Sequence, residues 1–176
     1  MRPAQFTLPL VALCATAAVA QDTPAAPPPP DWDMVVFDMK SWGEPVVSWR
    51  ITSRGGGSWT ETERGDRLGR YTLVWHEIEP AAERYVALER ILRRLPEQAP
   101  DSAECTNFMT DQPYGTIRLT RGATTVEHAY NAGCMDEAYA EFLATLRNAN
   151  DLVALWGRDA PVLRRESVGQ DNAAGG

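Results

Sequence analysis

The sequence has few histidines and cysteines, and their spacing excludes several common sites. Only two of its 176 residues are histidine and three are cysteine. No Cys-x-x-Cys pair occurs and neither histidine has the spacing of a zinc ligand, so a structural zinc site is not expected. His76 precedes Glu77, but Pro80 stands where a zinc metalloprotease has its second histidine. We therefore expect no metal and no cofactor.

Positive charge is also scarce, with 17 basic residues against 24 acidic ones and a formal charge of -7. A nucleic-acid-binding protein needs a basic face to attract phosphates, so that class is excluded. After residue 20 no run is long and apolar enough to cross a membrane. The glycine run at residues 55–57 precedes Ser58 but lacks the Gly-Lys-Ser/Thr of a phosphate-binding loop.

The first 20 residues predict a secretory signal peptide. Arg2 precedes an apolar run at residues 8–20, which ends in the small-x-small pattern Ala18-Val19-Ala20. As a helix this run would span about 20 Å, less than the ~30 Å hydrocarbon core of a membrane. We expect cleavage near Ala20 and export to the periplasm of a bacterial cell or to its medium.

Cleavage there would leave two cysteines, Cys105 and Cys134. An even pair in an oxidising compartment predicts a disulfide, which would stabilise the fold by roughly 3–4 kcal/mol through loop entropy. Two free thiols, or half of a metal site, are the alternatives.

Composition divides the rest of the chain into three parts. Residues 21–31 hold four consecutive prolines at 27–30, which favour an extended polyproline spacer. Residues 166–176 are polar and end in Ala-Ala-Gly-Gly, which is typical of a disordered tail. We therefore expect a single folded domain at residues 32–165.

Within this domain the hydrophobic period changes between that of a strand and that of a helix. Strands are predicted at 33–40, 45–52, 70–78, 114–120 and 124–130, and helices at 80–95 and from about 135. The order βββαββα predicts an α+β fold with a single antiparallel sheet of about five strands and two helices packed on one face. The pattern at 58–69 does not decide between strand and irregular structure, and residues 148–151 could interrupt the last helix.

Aromatic residues beside glycine are the candidate binding residues. Trp42 precedes Gly43, and Trp59 follows the glycine run; tryptophan gives a large contact area with few rotatable bonds. The loop beside Cys105, residues 107–114, is a second candidate surface. The predicted binding residues are Trp42, Arg54, Gly56, Trp59, Phe108 and Tyr114.

These patterns favour a non-enzymatic binding or inhibitor-like protein whose partner is an unknown protein or small ligand of the cell envelope. This hypothesis includes no catalytic residue. The alternative is a small exported hydrolase that uses His76 or His128 with a carboxylate such as Glu79 or Glu127. A glycosidase-type pair of acids and a purely structural role in the envelope stay open.

Overall fold

The computed structural model describes residues 30–66 and 69–169. The predicted signal peptide, the spacer up to residue 29 and the tail from residue 170 lie outside this part. A short 3-10 helix, Ser102–Glu104, precedes the strand at Tyr114–Arg121. The main elements are β1 (Met34–Ser41), β2 (Glu44–Thr52), β3 (Gly57–Arg64), β4 (Tyr71–Ile78), α1 (Ala82–Leu92), β5 (Tyr114–Arg121), β6 (Thr124–Asn131), α2 (Glu137–Arg158) and β7 (Val162–Val168).

The strands form one antiparallel sheet in the order β6-β5-β1-β2-β3-β4-β7. This confirms the α+β class, the single antiparallel sheet, the two helices and the disulfide. The expected number of about five strands is wrong, because the sheet described here has seven.

Both additional strands lack the alternation that identifies a strand in a sequence. Strand β3 places Glu61 opposite the buried Val47, so a charged residue occupies an inward position. The next inward residue, Glu63, forms an ion pair with Arg165 of β7 at 2.7 Å. Strand β7 is exposed along most of its length and pairs only with β4. It includes residues 166–168, which the sequence pattern assigned to the tail.

One face of the sheet carries the hydrophobic core beneath the two helices. Trp49 of β2 is buried and donates its indole N–H to Asn150 of α2 at 3.2 Å. Ala149 and Val153 are also buried, so α2 continues without a break through residues 148–151. Leu88 and Leu92 of α1 join the same core cluster. None of the helices in the described residues is long and apolar enough to cross a membrane.

A row of directly paired side chains crosses six strands on this covered face. Phe37 and Trp49 stack near its middle with ring centroids 5.3 Å apart. We call it the buried row: His128 (β6), Ile117 (β5), Phe37 (β1), Trp49 (β2), Trp59 (β3) and His76 (β4).

Candidate functional site

The predicted binding residues lie at opposite ends of the sheet. Strand β2 has nine residues and therefore spans about 30 Å. The turn at its start holds Trp42, whereas the loop at its end holds Arg54 and Gly56. We call the turn at Trp42 and Gly43, together with residues 105–114, the loop end of the sheet. Residues 53–57 form the glycine end. Because the loops at both ends are short, a single small ligand cannot contact the loop end and the glycine end at once.

At the glycine end two of the predicted binding residues are buried. Gly56 is buried, and a Cβ there would lie 2.8 Å from the ring of Pro80. Its glycine therefore serves close packing against the start of α1 rather than a flexible loop tip. Trp59 is only 2% exposed and packs against the backbone of α2 at Gly157. Trp59 is therefore a core residue. Arg54 is exposed, and among the described residues no exposed aromatic side chain lies at this end of the sheet.

The turn at the loop end has an unusual residue in its first position. Ser41 pairs with Glu44, so Trp42 and Gly43 form a two-residue hairpin loop, with φ of 54° and 81°. Positive φ at both positions is the pattern of a type I′ turn, where Asn-Gly or Asp-Gly is preferred. A left-handed conformation costs a residue with a Cβ about 1–2 kcal/mol. The Trp42 side chain is nevertheless 76% exposed, so burial does not offset this strain.

Charged residues surround a cleft of about 730 Å³ beside this turn. Trp42 forms part of its wall, with Arg64 and Asp66 from the end of β3 and the loop that follows it. Glu44 accepts a hydrogen bond from the backbone N–H of Gly69 at 3.0 Å, which ties this loop to the hairpin. The cleft therefore combines one large aromatic side chain with charges of both signs.

The second part of the loop end is residues 105–114, which we call the braced loop. The predicted disulfide is present and joins Cys105 to Cys134, 29 positions apart, with the Cα atoms separated by 5.8 Å. It links the loop after α1 to the segment before α2. In this oxidised state the two sulfurs are neither free thiols nor metal ligands.

Backbone hydrogen bonds reinforce the disulfide. The N–H of Met109 donates to the carbonyl of Gly133, and the N–H of Met135 donates to the carbonyl of Asn107, each at 2.8 Å. Phe108 and Cys134 form an isolated antiparallel bridge between them. The braced loop is thus held at several points along its length, which limits the conformations available to it.

Asp136 holds the same segment electrostatically. Its carboxylate accepts hydrogen bonds from the backbone N–H groups of Thr106 at 2.8 Å and Asn107 at 3.0 Å. These donors favour the charged form and lower the pKa of Asp136 below its ordinary value. The residue precedes α2, but its carboxylate is directed across to the braced loop.

Large apolar side chains on this braced frame are exposed to solvent. Phe108 is 47% exposed, and Met109 and Met135 are exposed to a similar extent. Tyr114, at the start of β5, is exposed and lines a polar cleft with Asp38. Phe108 and Tyr114 are among the binding residues predicted from the sequence, whereas Met135 is not; its only signal is its position directly after Cys134.

The two histidines cannot share a site, because they stand at opposite ends of the buried row. Five strand spacings separate them, or about 24 Å. His76 has its Nδ1 3.0 Å from the carbonyl of Ala160 and its Nε2 3.5 Å from a carboxylate oxygen of Glu61. A histidine–carboxylate pair therefore exists, but its ring is buried against Trp59 and lines none of the clefts described here.

His128 lies in a different environment at the other end of the row. Its ring is buried, packs edge-on against Phe142, and borders a cleft of about 470 Å³ that residues 97–102 also line. Burial lowers the pKa of His128. Within the described residues His128 forms no ion pair with a carboxylate. It therefore does not provide the histidine–carboxylate pair that the hydrolase alternative requires.

Comparisons with protein-family models, with curated proteins and with solved structures found no significant match to this chain.

Proposed function

We propose that this is an exported, non-enzymatic binding protein that holds a protein partner at the loop end. The observation that carries the proposal is Trp42, a large aromatic side chain that is strained in its backbone and exposed at its ring. Residues in sparsely populated conformations cluster at binding sites, where function compensates for their energetic cost. Asparagine would form the same turn with less strain, so stability alone does not favour tryptophan here.

The braced loop supports the proposal through its rigidity. A disulfide, several backbone hydrogen bonds and the Asp136 carboxylate hold Phe108 in position. A surface that is ordered before binding loses less conformational entropy when a partner arrives. Met109 and Met135 add polarisable side chains that adapt to the shape of a partner.

The shape of the loop end favours a protein rather than a small ligand. Trp42 stands on a hairpin turn at the side of an open cleft and Phe108 on a surface loop, so both rings are presented on an exposed surface. Protein interfaces concentrate their affinity in a few aromatic residues inside a polar rim. Arg64 and Asp66 beside Trp42 provide charged groups for such a rim.

Export is part of the proposal and rests on two separate features. The N-terminal pattern that ends at Ala20 is typical of a cleaved signal peptide. The disulfide between Cys105 and Cys134 is of the kind that persists in oxidising compartments.

Affinity capture with matched variants tests the proposal. The purified oxidised protein is immobilised and exposed to an envelope extract, and the captured proteins are quantified by mass spectrometry. Trp42→Asn and Phe108→Ser should each reduce capture of the same protein about tenfold or more, as expected for interface hot spots. Leu155→Ser is the control, because Leu155 is an exposed apolar residue of α2 outside the loop end.

Equal loss of capture by all three variants would show nonspecific apolar adsorption and would reject the proposal. Unchanged capture by Trp42→Asn and Phe108→Ser would reject it as well, since the partner would then bind elsewhere.

A further inference from the structure

A small apolar cavity lies between the sheet and α2, beneath the end of the braced loop. Its volume is about 220 Å³. The walls are the side chains of Phe37, Met39, Pro113, Tyr130, Leu143 and Leu146. An apolar cavity of about 150 Å³ in another protein binds benzene, so this volume suits one ring with a short chain.

The polar groups around this cavity are few, and one of them carries a positive charge. Arg147 of α2 and Gln112 of the braced loop also line it. The amide nitrogen of Gln112 lies 3.3 Å from the sulfur of Met109. Arg147 is exposed and makes no ion pair with the described residues, although Asp151 lies one helical turn further along α2.

The inner wall contributes no compensating negative charge. Tyr130 is buried, and its hydroxyl donates to the carbonyl of Asp38 at 3.3 Å. Burial raises the pKa of Tyr130 well above its ordinary value, so the phenol stays neutral at physiological pH. A molecule in the cavity would therefore meet apolar walls and a single guanidinium at the edge.

We infer that this cavity binds a small apolar monocarboxylate, with its hydrocarbon part between the sheet and Leu143 and Leu146 and its carboxylate at Arg147. A planar guanidinium matches a carboxylate through two parallel hydrogen bonds. The apolar part would exclude water from Met39, which is partly exposed, and this gives the binding its hydrophobic contribution. This site is separate from Trp42 and does not depend on the proposed protein partner.

The probe is 3-phenylpropanoate, titrated to millimolar concentration into the purified oxidised protein and followed by NMR of methionine and leucine methyl groups. Two compounds of nearly equal size are the controls: neutral 3-phenylpropan-1-ol and cationic 3-phenylpropylammonium. We expect the anion to shift the methyl signals of Met39, Leu143 and Leu146 and to bind more tightly than the alcohol. The cation should bind most weakly.

Two substitutions separate the charge from the cavity. Arg147→Gln should weaken binding of the anion by about two- to fivefold, as for a solvent-exposed ion pair, and should leave the alcohol unchanged. Arg158→Gln is the matched control, because Arg158 is an exposed arginine further along α2. Ala132 also lines the cavity, so Ala132→Leu should fill part of it and weaken both ligands; Met39→Phe is the second cavity-filling variant if Ala132→Leu does not fold.

The inference is wrong if 3-phenylpropanoate leaves these three residues unshifted at millimolar concentration. It is equally wrong if the alcohol or the ammonium compound binds as tightly as the acid. Because the readout is a small ligand at residues away from Trp42, either result leaves the proposed protein partner untouched.

Discussion

Two tryptophans that look alike in the sequence have opposite roles in the fold. Trp42 directly precedes Gly43, Trp59 lies two residues after the glycine run, and both lie near the end of a strand. Trp42 is exposed on a strained turn, whereas Trp59 is part of the buried row between Trp49 and His76. Proximity to glycine therefore does not predict exposure in this protein.

Strand register explains the difference. Trp59 lies directly opposite Trp49, whose indole faces α2, and side chains directly paired across strands point to the same face of a sheet. Trp42 lies in the turn between two strands, where no paired residue fixes its direction. The glycines also differ: Gly43 permits a tight turn, and Gly56 permits close contact with Pro80.

The largest expected effect is the loss of Trp59 from the core. Trp59→Ala removes a fully covered indole and should lower the free energy of unfolding by about 3–5 kcal/mol. Urea denaturation followed by circular dichroism measures this, with Trp42→Ala as the matched control. A similar loss in both variants would contradict the difference in role between the two tryptophans.

A smaller effect is expected at the loop end. The loop end is held by a disulfide, whereas the buried row is held by packing. Replacing both Cys105 and Cys134 by serine should lower the free energy of unfolding by roughly 3 kcal/mol through loop entropy. The same denaturation experiment measures it, with the reduced wild-type protein as a second control. If stability is unchanged, the disulfide does not brace the fold.

The buried row also predicts a dependence of stability on pH. Burial lowers the pKa of His128 in the folded state, so the unfolded state binds the proton more readily. The stability that neutral His128 contributes is therefore fully present above the unfolded pKa, about 6.5, and is lost as pH decreases through the folded pKa. His128→Leu should weaken the decline between about pH 7 and pH 5. If the free energy of unfolding, measured by urea denaturation at each pH, falls equally steeply in the wild type and in His128→Leu, then His128 does not contribute.

Much of the fold could be predicted because its strands and helices bury regular apolar patterns. The five strands expected from alternation are all present, and α2 begins at Glu137, close to the start expected near residue 135. Strand β3 could not be predicted, because Glu61 and Glu63 occupy inward positions. Strand β7 could not be predicted, because it is exposed along most of its length. Their pairing depends on distant residues, such as Arg165 with Glu63, which local patterns do not contain.

The candidate site could be predicted only in part for the same reason. Trp42, Phe108 and Tyr114 lie in turns or at strand ends, and local composition is sufficient to place them at the surface. Whether Trp59 is buried or exposed depends on the strand register, which local sequence patterns do not specify. The cavity at Arg147 involves two strands, a helix and the braced loop, so no short segment of the chain could indicate it.

We expect Trp42 to serve binding at the expense of the stability of the fold. The most direct measurement is the free energy of unfolding of Trp42→Asn, with Trp42→Ala as the control that keeps a Cβ without asparagine's tolerance of positive φ. We predict that Trp42→Asn is more stable than the wild type by about 1 kcal/mol, because it relieves the strain of the left-handed turn. A variant less stable than the wild type would contradict the account, since Trp42 would then contribute to the fold itself.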